Sequence, residues 1–500
     1  MTAGLPRRSV LFGTAAAAAA ALTAGPLART ALAATALTPK VLVIGLDGTM
    51  LNRIKDADAP NLDALMAGGL TAASSLYANP MAETSSGPGW STIATGVWPD
   101  KHNVVNNNFT APNFAAYPDW LTRAENARPG LSTYVVASWA SIPNTIYSAK
   151  VDTRIATPSA EYDTGTTSRA VAQLRDANPD AVFVQLDNVD HAGHASGSAS
   201  QAYLDAIKGV DAQVGQIVAA VRGRATYAQE NWLIMVTADH GHTPTGGHGG
   251  STWEERQTFV IANGGGMAAG SVRYDVRIVD IAPTALAHLG IAVDPAWGLD
   301  GAPIATLTPD AFDSLRPQLT GRVDETGIAA GVLGFTHTPP SGWSVDNSAM
   351  GTGGVTEWRG WSFTTDEFWT RTQRDQYREL NVRSRNVFAV ADSDEWADKS
   401  FSGAYDTTLV SPAYPVSGLA TVKVEYTCYY QQEGSQTAKV LASWSGGTPV
   451  QIASYSALVN GRQTLTLTVP AGATDLRLRF RYTGSNNWYW VLDNVRVYGA

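Results

Sequence analysis

Cysteine is nearly absent from this chain of 500 residues: Cys428 is the only one. No intrachain disulfide can form, and metal clusters held by thiolates are excluded. Positive charge is scarce too, with 35 Lys and Arg against 44 Asp and Glu and a formal net charge of −9. No basic stripe is available to follow a nucleic-acid backbone, so binding to duplex nucleic acid is not expected. Long apolar runs are also missing. The one extended stretch, about Val10 to Ala24, is short for a bilayer span, and no run of eighteen apolar residues follows it, so no membrane anchor is expected. With few cations and no set of thiols, strong local positive charge has to come from metal ions held by Asp and His.

What is present begins with an export pattern. Arg7-Arg8 precedes Ser9-Val10-Leu11-Phe12 and the apolar stretch, and Ala31-Leu32-Ala33 offers a small-residue cleavage site. Residues 1–33 are therefore expected to be a signal peptide. The arginine pair is similar to the twin-arginine type, although an ordinary secretory signal accounts for the same pattern. The mature protein is expected outside the cytoplasm, periplasmic or extracellular, with a net charge of −12 once three arginines are lost.

The texture changes once, between about residues 305 and 330. Before it, apolar runs that suit buried parallel strands (Lys40–Gly48, Thr133–Trp139, Ala181–Asp187, Trp232–Gly241) alternate with segments of helical period. The clearest helix is expected from about Ser200 to Val221, where Tyr203, Ile207, Val210, Val214, Ile217 and Val221 share one face. After about Gly327, alternation of period two takes over: Val422, Val424, Tyr426, Cys428 and Tyr430 share a face, as do Leu465, Leu467 and Val469, and Leu476, Leu478, Phe480 and Tyr482. The expectation is an α/β catalytic domain over 38–308 with a mostly parallel sheet flanked by helices, a linker over 309–328, and an antiparallel β-sandwich of jelly-roll type over 329–500. Cys428 then reads as a small core residue.

Four segments carry polar groups where strands or helices meet the edge of such a sheet, which is where ligands bind in open α/β folds. In the first, six residues with no polar side chain lead to Asp47. An acid opening a turn accounts for it equally well. In the second, Thr84-Ser85-Ser86-Gly87-Pro88-Gly89 precedes an expected helix whose N-terminus favours an anion, although a helix cap explains these hydroxyls on their own. The third is Asp187-Asn188-Val189-Asp190-His191-Ala192-Gly193-His194, with Asp190 and His194 spaced to meet one ion. The fourth holds Asp239-His240, His242 and, in a glycine-rich loop, His248. Five of the eight histidines fall in these last two segments.

In order and spacing these segments resemble the alkaline phosphatase superfamily, and within it the type I phosphodiesterases and nucleotide pyrophosphatases. The resemblance extends over about residues 40–305 and includes Ala59-Pro60-Asn61-Leu62, Val279–Gly290 and Leu299-Asp300-Gly301. It implies two zinc ions, one on Asp47, Asp239, His240 and the nucleophile, the other on Asp190, His194 and His248. It makes Ser86 the nucleophile, two residues before Pro88, where the branch usually has threonine. It makes Asn107, flanked by Asn106 and Asn108, the side chain that binds a phosphoryl oxygen, with Phe109 available to stack on a base. The implied activity is hydrolysis of a small phosphoester or nucleotide through a phosphoseryl intermediate, with phosphomonoester hydrolysis on the same scaffold as the nearest rival. Lys150 and Arg154 are the cations available to assist a terminal phosphate. No Gly-x-Ser-x-Gly elbow is present to support a serine esterase.

In the β region, eight tryptophans, at 343, 358, 361, 369, 396, 444, 488 and 490, suit a sandwich core. A sharper reading is an accessory module for carbohydrate or calcium, with Asp392, Asp394, Asp398 and Asp493 as oxygen ligands; a solvated acidic turn accounts for the same aspartates. An inactive surface- or polysaccharide-binding protein is the reading of another class. The complete set of acids and histidines argues against it.

Overall fold

Val41, Leu42, Val43, Ile44 and Leu46 are all fully buried, because strand β1 (Thr38–Leu46) runs through the middle of a sheet covered on both faces. Alternate residues serve different cores. Val41 and Val43 pack on one side with Trp90, Phe183 and Met235, while Leu42, Ile44 and Leu46 pack on the other with Ile207, Val210 and Val214. The computed structural model describes residues 37–499, so the expected signal peptide at 1–33 lies outside the described residues.

The remaining strands of this sheet are β2 (Gly69–Ser75), β3 (Thr133–Ala137), β4 (Thr153–Ala156), β5 (Ala181–Leu186), β6 (Glu230–Thr237), β7 (Gln257–Gly264) and β8 (Ser271–Arg273). Their spatial order is β4-β3-β5-β1-β6-β7-β2-β8. Only β7 runs antiparallel to its neighbours, β6 and β2; the other pairings are parallel. The mostly parallel sheet with flanking helices is thus as expected. So is the long helix, Gln201–Arg222, which buries Tyr203, Ile207, Val210, Val214, Ile217 and Val221 and is capped by Ser200 accepting from Tyr203 N–H. Each such aliphatic side chain contributes about 1.5–3 kcal/mol on burial.

After residue 340 the chain builds two large antiparallel sheets and a short two-stranded one, Thr352–Gly353 with Phe401–Ser402. One large sheet orders Ser362–Thr364, Phe388–Asp392, Tyr489–Gly499, Thr421–Tyr430 and Val459–Thr468; the other orders Val450–Tyr455, Thr437–Trp444, Asp475–Gly484, Tyr405–Val410 and Ser344–Asp346, with Tyr414–Pro415 also on Asp475–Gly484. Their inner faces share one core, in which Tyr426 meets Phe480 and Trp361 meets Trp490. Trp358, Trp361, Trp369, Trp396 and Trp490 are fully buried there. Cys428 is buried beside the Trp490 indole N–H, and burial pushes its thiol up to about 12, so it is inert.

The segment 309–328 packs Phe312, Leu315 and Leu319 into this second core. Buried ion pairs and hydrogen bonds cross from the α/β region to the β region: Arg256 to Asp366 (2.8 Å), Arg385 to Asp280 (2.6 Å), Arg383 to Asp300 (3.0 Å) and Arg277 to the Ser384 carbonyl (2.8 Å). The four aspartates considered for calcium are engaged separately. Asp392 caps Ser393–Ala397 and accepts from Trp369, Asp394 accepts from Gln376, and Asp493 lies beside Asp310 and accepts from Arg385 N–H. Asp398 closes the same helix, its N–H on Glu395. Among the described residues, the groups of three or more acids and histidines that converge on one point both lie in the α/β region.

Candidate active site

Three adjacent parallel strands, β5, β1 and β6, end side by side, and the segments that follow them bring Asp187 and Asp190, Asp47, and Asp239 and His240 to one sheet edge. The fourth contribution comes from the Ser86–Thr95 helix, which is fully buried and lies on β1 through Trp90. That approach depends on Gly45: a Cβ there would stand 2.3 Å from the Trp90 ring. The indole N–H of Trp90 donates to Asp47 Oδ2 (2.8 Å), and Gln185 donates to the same oxygen (2.8 Å) and to Asp187 Oδ1 (3.0 Å). Packing of one tryptophan therefore both seats the helix whose first residue is Ser86 and fixes the orientation of Asp47.

With Oδ2 held, Asp47 Oδ1 turns inward, 3.5 Å from His240 Nε2. Asp239 behaves alike: Oδ1 accepts from Gly48 N–H (3.1 Å), and Oδ2 lies 3.3 Å from His240 Nε2. Ser86 Oγ is 3.4 Å from the same nitrogen. Asp47 Oδ1 and Asp239 Oδ2 are buried with no hydrogen-bond partner, an arrangement that costs heavily unless a cation takes the oxygens. In the second group, Asp190 Oδ2 is 3.4 Å from His194 Nε2, Asp190 Oδ1 is 3.5 Å from His248 Nε2, and the two imidazole nitrogens are 3.0 Å apart. A tetrahedral ion with bonds of about 2.0–2.1 Å spaces its donors by about 3.3 Å. The residues present fit divalent metal: Asp47, Asp239 and His240 converge on one point and Asp190, His240, His242 and His248 on another, with His194 at its rim, 3.0 Å from His248.

The electrostatics agree. Burial, followed by the charge of neighbouring carboxylates, raises Asp47 well above its ordinary range, and burial likewise raises Asp239. Burial also presses His240 well below its ordinary value and lowers His248. Burial would raise Asp190, but the hydrogen bond from His242 and the surrounding imidazoles hold it low. Three clustered carboxylates that repel one another, facing imidazoles kept neutral, form a donor set made for cations.

Asn107 also reaches this place. Its Oδ1 accepts from Gly87 N–H (2.6 Å), next to Ser86, which leaves its NH2 as the free donor, whereas Asn106 is spent on Asn108 N–H. Phe109, in the left-handed region at φ 51, packs on Trp139 with ring centroids 6.0 Å apart. Thr84 is structural: its hydroxyl bonds Gly250 O and Gly249 N–H, and its carbonyl meets His248 Nδ1. Arg154 donates to the carbonyls of Pro143 and Tyr147 from the edge strand β4, and Lys150 is exposed three residues before that strand. Arg154 thus spends its Nη1 on main-chain carbonyls.

Sequence reasoning missed His242, Gln185, Trp139 and Tyr162, whose hydroxyl bonds Asp187. Gln185 had a readable signal, a lone amide in an otherwise apolar strand. His242 was part of the histidine-rich segment without a role. Trp139 and Tyr162 come from distant segments and carried none.

A mostly parallel sheet that collects acids and histidines from neighbouring strand ends beside a helix-borne hydroxyl places this chain among proteins of the alkaline phosphatase superfamily. More narrowly, residues 41–289 match the profile of the type I phosphodiesterase / nucleotide pyrophosphatase family, and the α/β region belongs to that family. Ectonucleotide pyrophosphatase/phosphodiesterase family member 3 of Rattus norvegicus is 28% identical over 235 residues, covering 41% of this chain and 25% of that protein. Family member 7 of Homo sapiens is 26% identical over 230 residues, covering 41% and 48%. The chain thus spans about a quarter to a half of the length of these curated relatives. Murine ectonucleotide pyrophosphatase/phosphodiesterase 5, solved in an inactive form in complex with AMP, aligns with a TM-score of 0.42 at 13% identity over 51% of this chain and 96% of that one.

Proposed function

We propose that the chain is a two-zinc hydrolase of phosphoric esters of the phosphodiesterase and nucleotide pyrophosphatase type, with Ser86 as nucleophile. The observation that carries this is the placement of Ser86 Oγ at a helix N-terminus, 3.4 Å from His240, against two buried carboxylate oxygens without partners. Carboxylates and imidazoles together suit zinc. Asp47, Asp239, His240 and Ser86 would hold one ion, and Asp190, His194 and His248 the other; once bound, they supply the positive charge that ionises the serine hydroxyl and offsets charge on the phosphoryl oxygens.

The chain's own residues do the rest. Ser86 gives up its proton to solvent, its Oγ attacks phosphorus, the bond from phosphorus to the leaving oxygen breaks, and the departing alkoxide takes a proton back from water, so that no net proton is gained or lost. Water then attacks the phosphoserine, releasing the second product and restoring the hydroxyl. Asn107 NH2 donates to an equatorial oxygen, and the start of the Ser86–Thr95 helix adds its dipole. The Phe109–Trp139 pair offers an aromatic face to a base or aryl leaving group.

Phosphomonoester hydrolysis is the second reading. Arg154, one of the two cations considered, spends its Nη1 on main-chain carbonyls, which weakens the case for a terminal phosphate and favours the diester. Turnover of a bis-aryl phosphate is expected to exceed that of the matching aryl monoester; the reverse order would make the chain a phosphatase. Export by the signal at 1–33, and carbohydrate binding by the β region, belong to the same proposal. They rest on sequence pattern, and are tested by reporter fusion and by retention on insoluble polysaccharide.

A further inference from the structure

His242 belongs to neither zinc set drawn from the resemblance, yet its imidazole is fully buried within the cluster, with ring centroids 5.0 Å from His248 and 5.2 Å from His194. Its Nε2 lies 2.8 Å from Asp190 Oδ1. That is a hydrogen-bond length, shorter than the spacing of about 3.3 Å between two donors on one tetrahedral ion. The carboxylate–imidazole contacts among Asp47, Asp239, His240, Asp190, His194 and His248 lie at 3.3–3.5 Å, near the donor spacing, although His194 and His248 approach to 3.0 Å and His242 converges with Asp190, His240 and His248. A carboxylate oxygen only accepts, so Nε2 must carry the proton. Nδ1 is buried with no partner, so no other hydrogen bond competes to turn the ring.

Space for the ring is made by two glycines. A Cβ on Gly48, which is left-handed at φ 61, would lie 2.7 Å from His242 Nε2, and a Cβ on Gly193 would lie 2.6 Å from the same ring. The imidazole is thus wedged between the turn that follows Asp47 and the Asn188–Ser196 helix that carries Asp190 and His194. A side chain that merely filled a gap would not need both walls stripped to glycine and its one hydrogen bond aimed at a ligand.

We propose that His242 is a positioning residue that orients Asp190: by donating Nε2–H to Oδ1, it fixes the carboxylate so that Oδ2 faces His194 and the ion those residues share. This rests on the two-zinc reading above. The effect is confined to one of the two metal sites, because Asp47 and Asp239 are oriented by other groups, Trp90, Gln185 and Gly48 N–H.

The test is a zinc titration of the full chain against a chromogenic chelator, comparing the unsubstituted protein with His242→Leu and His242→Gln. Loss of an outer hydrogen bond to a metal ligand typically costs 10–100-fold in affinity. His242→Leu is expected to weaken one of two sites by about that factor and leave the other unchanged. His242→Gln, which offers an amide N–H, is expected to recover most of the loss, and its cobalt-substituted absorption spectrum is expected to match that of the unsubstituted chain. Equal affinity at both sites in His242→Leu, or a glutamine variant no better than the leucine one, overturns the proposal. A cobalt spectrum altered by glutamine also overturns it, by making His242 a direct ligand. If the unsubstituted chain binds no zinc, the two-zinc reading falls and this one with it; if it binds two ions and His242→Leu binds both with unchanged affinity, only this one falls.

Discussion

Asp366 lies 110 residues beyond Arg256 in the chain, yet it decides whether the loop that carries His248 has a fixed base. Its Oδ2 accepts from Arg256 Nη2 (2.8 Å) and from Ser75 Oγ (2.7 Å), and the Arg256 side chain is 1% exposed. Arg256 closes the Trp253–Arg256 turn, whose Glu255 accepts from Gly250 N–H (2.8 Å) and Thr252 N–H (3.1 Å), just after His248. In Asp366→Ala, the guanidinium keeps Leu76 O, Thr370 Oγ1 and the Trp253 ring face, but loses its hydrogen-bonded carboxylate and is left as a buried charge with only the more distant Glu379 to offset it. Breaking a buried pair in this way costs about 3–5 kcal/mol. Thr370→Val, which removes one neutral acceptor, should cost about 1 kcal/mol. Urea unfolding followed by tryptophan fluorescence measures both, and zinc content of the still-folded Asp366→Ala protein reports whether the loop has shifted. A loss below about 1 kcal/mol for Asp366→Ala would show that water solvates Arg256 in its place, and would refute the claim that the β region braces the site.

Other expectations follow from the same contacts. Gly45→Ala should destabilise by about 1–3 kcal/mol or more through overpacking against Trp90 and should lower zinc affinity as well, since Trp90 holds Asp47; thermal melting with and without zinc separates the two effects. Thr84→Ala should loosen the Gly249–Gly250 turn and raise KM more than it lowers kcat, and a complete loss of turnover would place the nucleophile at Thr84. Burial, and then the charge of Asp310, pushes Asp313 up to about 6. The folded state therefore holds this proton more tightly than the unfolded chain, so the stabilisation is complete below about 3.8 and is lost as pH rises through about 6. Between pH 4 and 7 the melting temperature should fall more steeply for the unsubstituted protein than for Asp313→Asn; parallel curves would rule out that titration.

The parts of this molecule that the sequence made legible are those governed by local period and by order along the chain. Continuous apolar runs mark β1, β5 and β6 because both faces of the sheet are covered, and the 3.6-residue stripe from Tyr203 to Val221 marks the long helix because one face is solvated. The acids and histidines of the candidate metal site were legible only as a family pattern, since nothing local says that strand ends about 140 residues apart are neighbours; strand order supplies that. Gln185, Trp90 and His242 act through contacts with side chains far away in sequence, and a buried hydrogen bond leaves no periodic trace. The same holds for the junction. Turn-rich texture between 305 and 330 suggests a linker, but Phe312, Leu315 and Leu319 are anchors in the second core, and the ion pairs across the boundary join residues 80 to 110 positions apart.

The central claim is that Ser86 becomes covalently bonded to phosphorus. It is tested most directly by mixing the zinc-loaded protein with a phosphorus-labelled aryl diester, quenching in acid within a turnover, and sequencing the labelled peptide. The account predicts label on Ser86, absent in Ser86→Ala, whose turnover should drop by several orders of magnitude, on the order of the 10⁶-fold seen when a covalent nucleophile is removed, while the six Asp and His ligands still hold zinc. Label on Ser85 or Thr84, or a fully active Ser86→Ala protein, would contradict it.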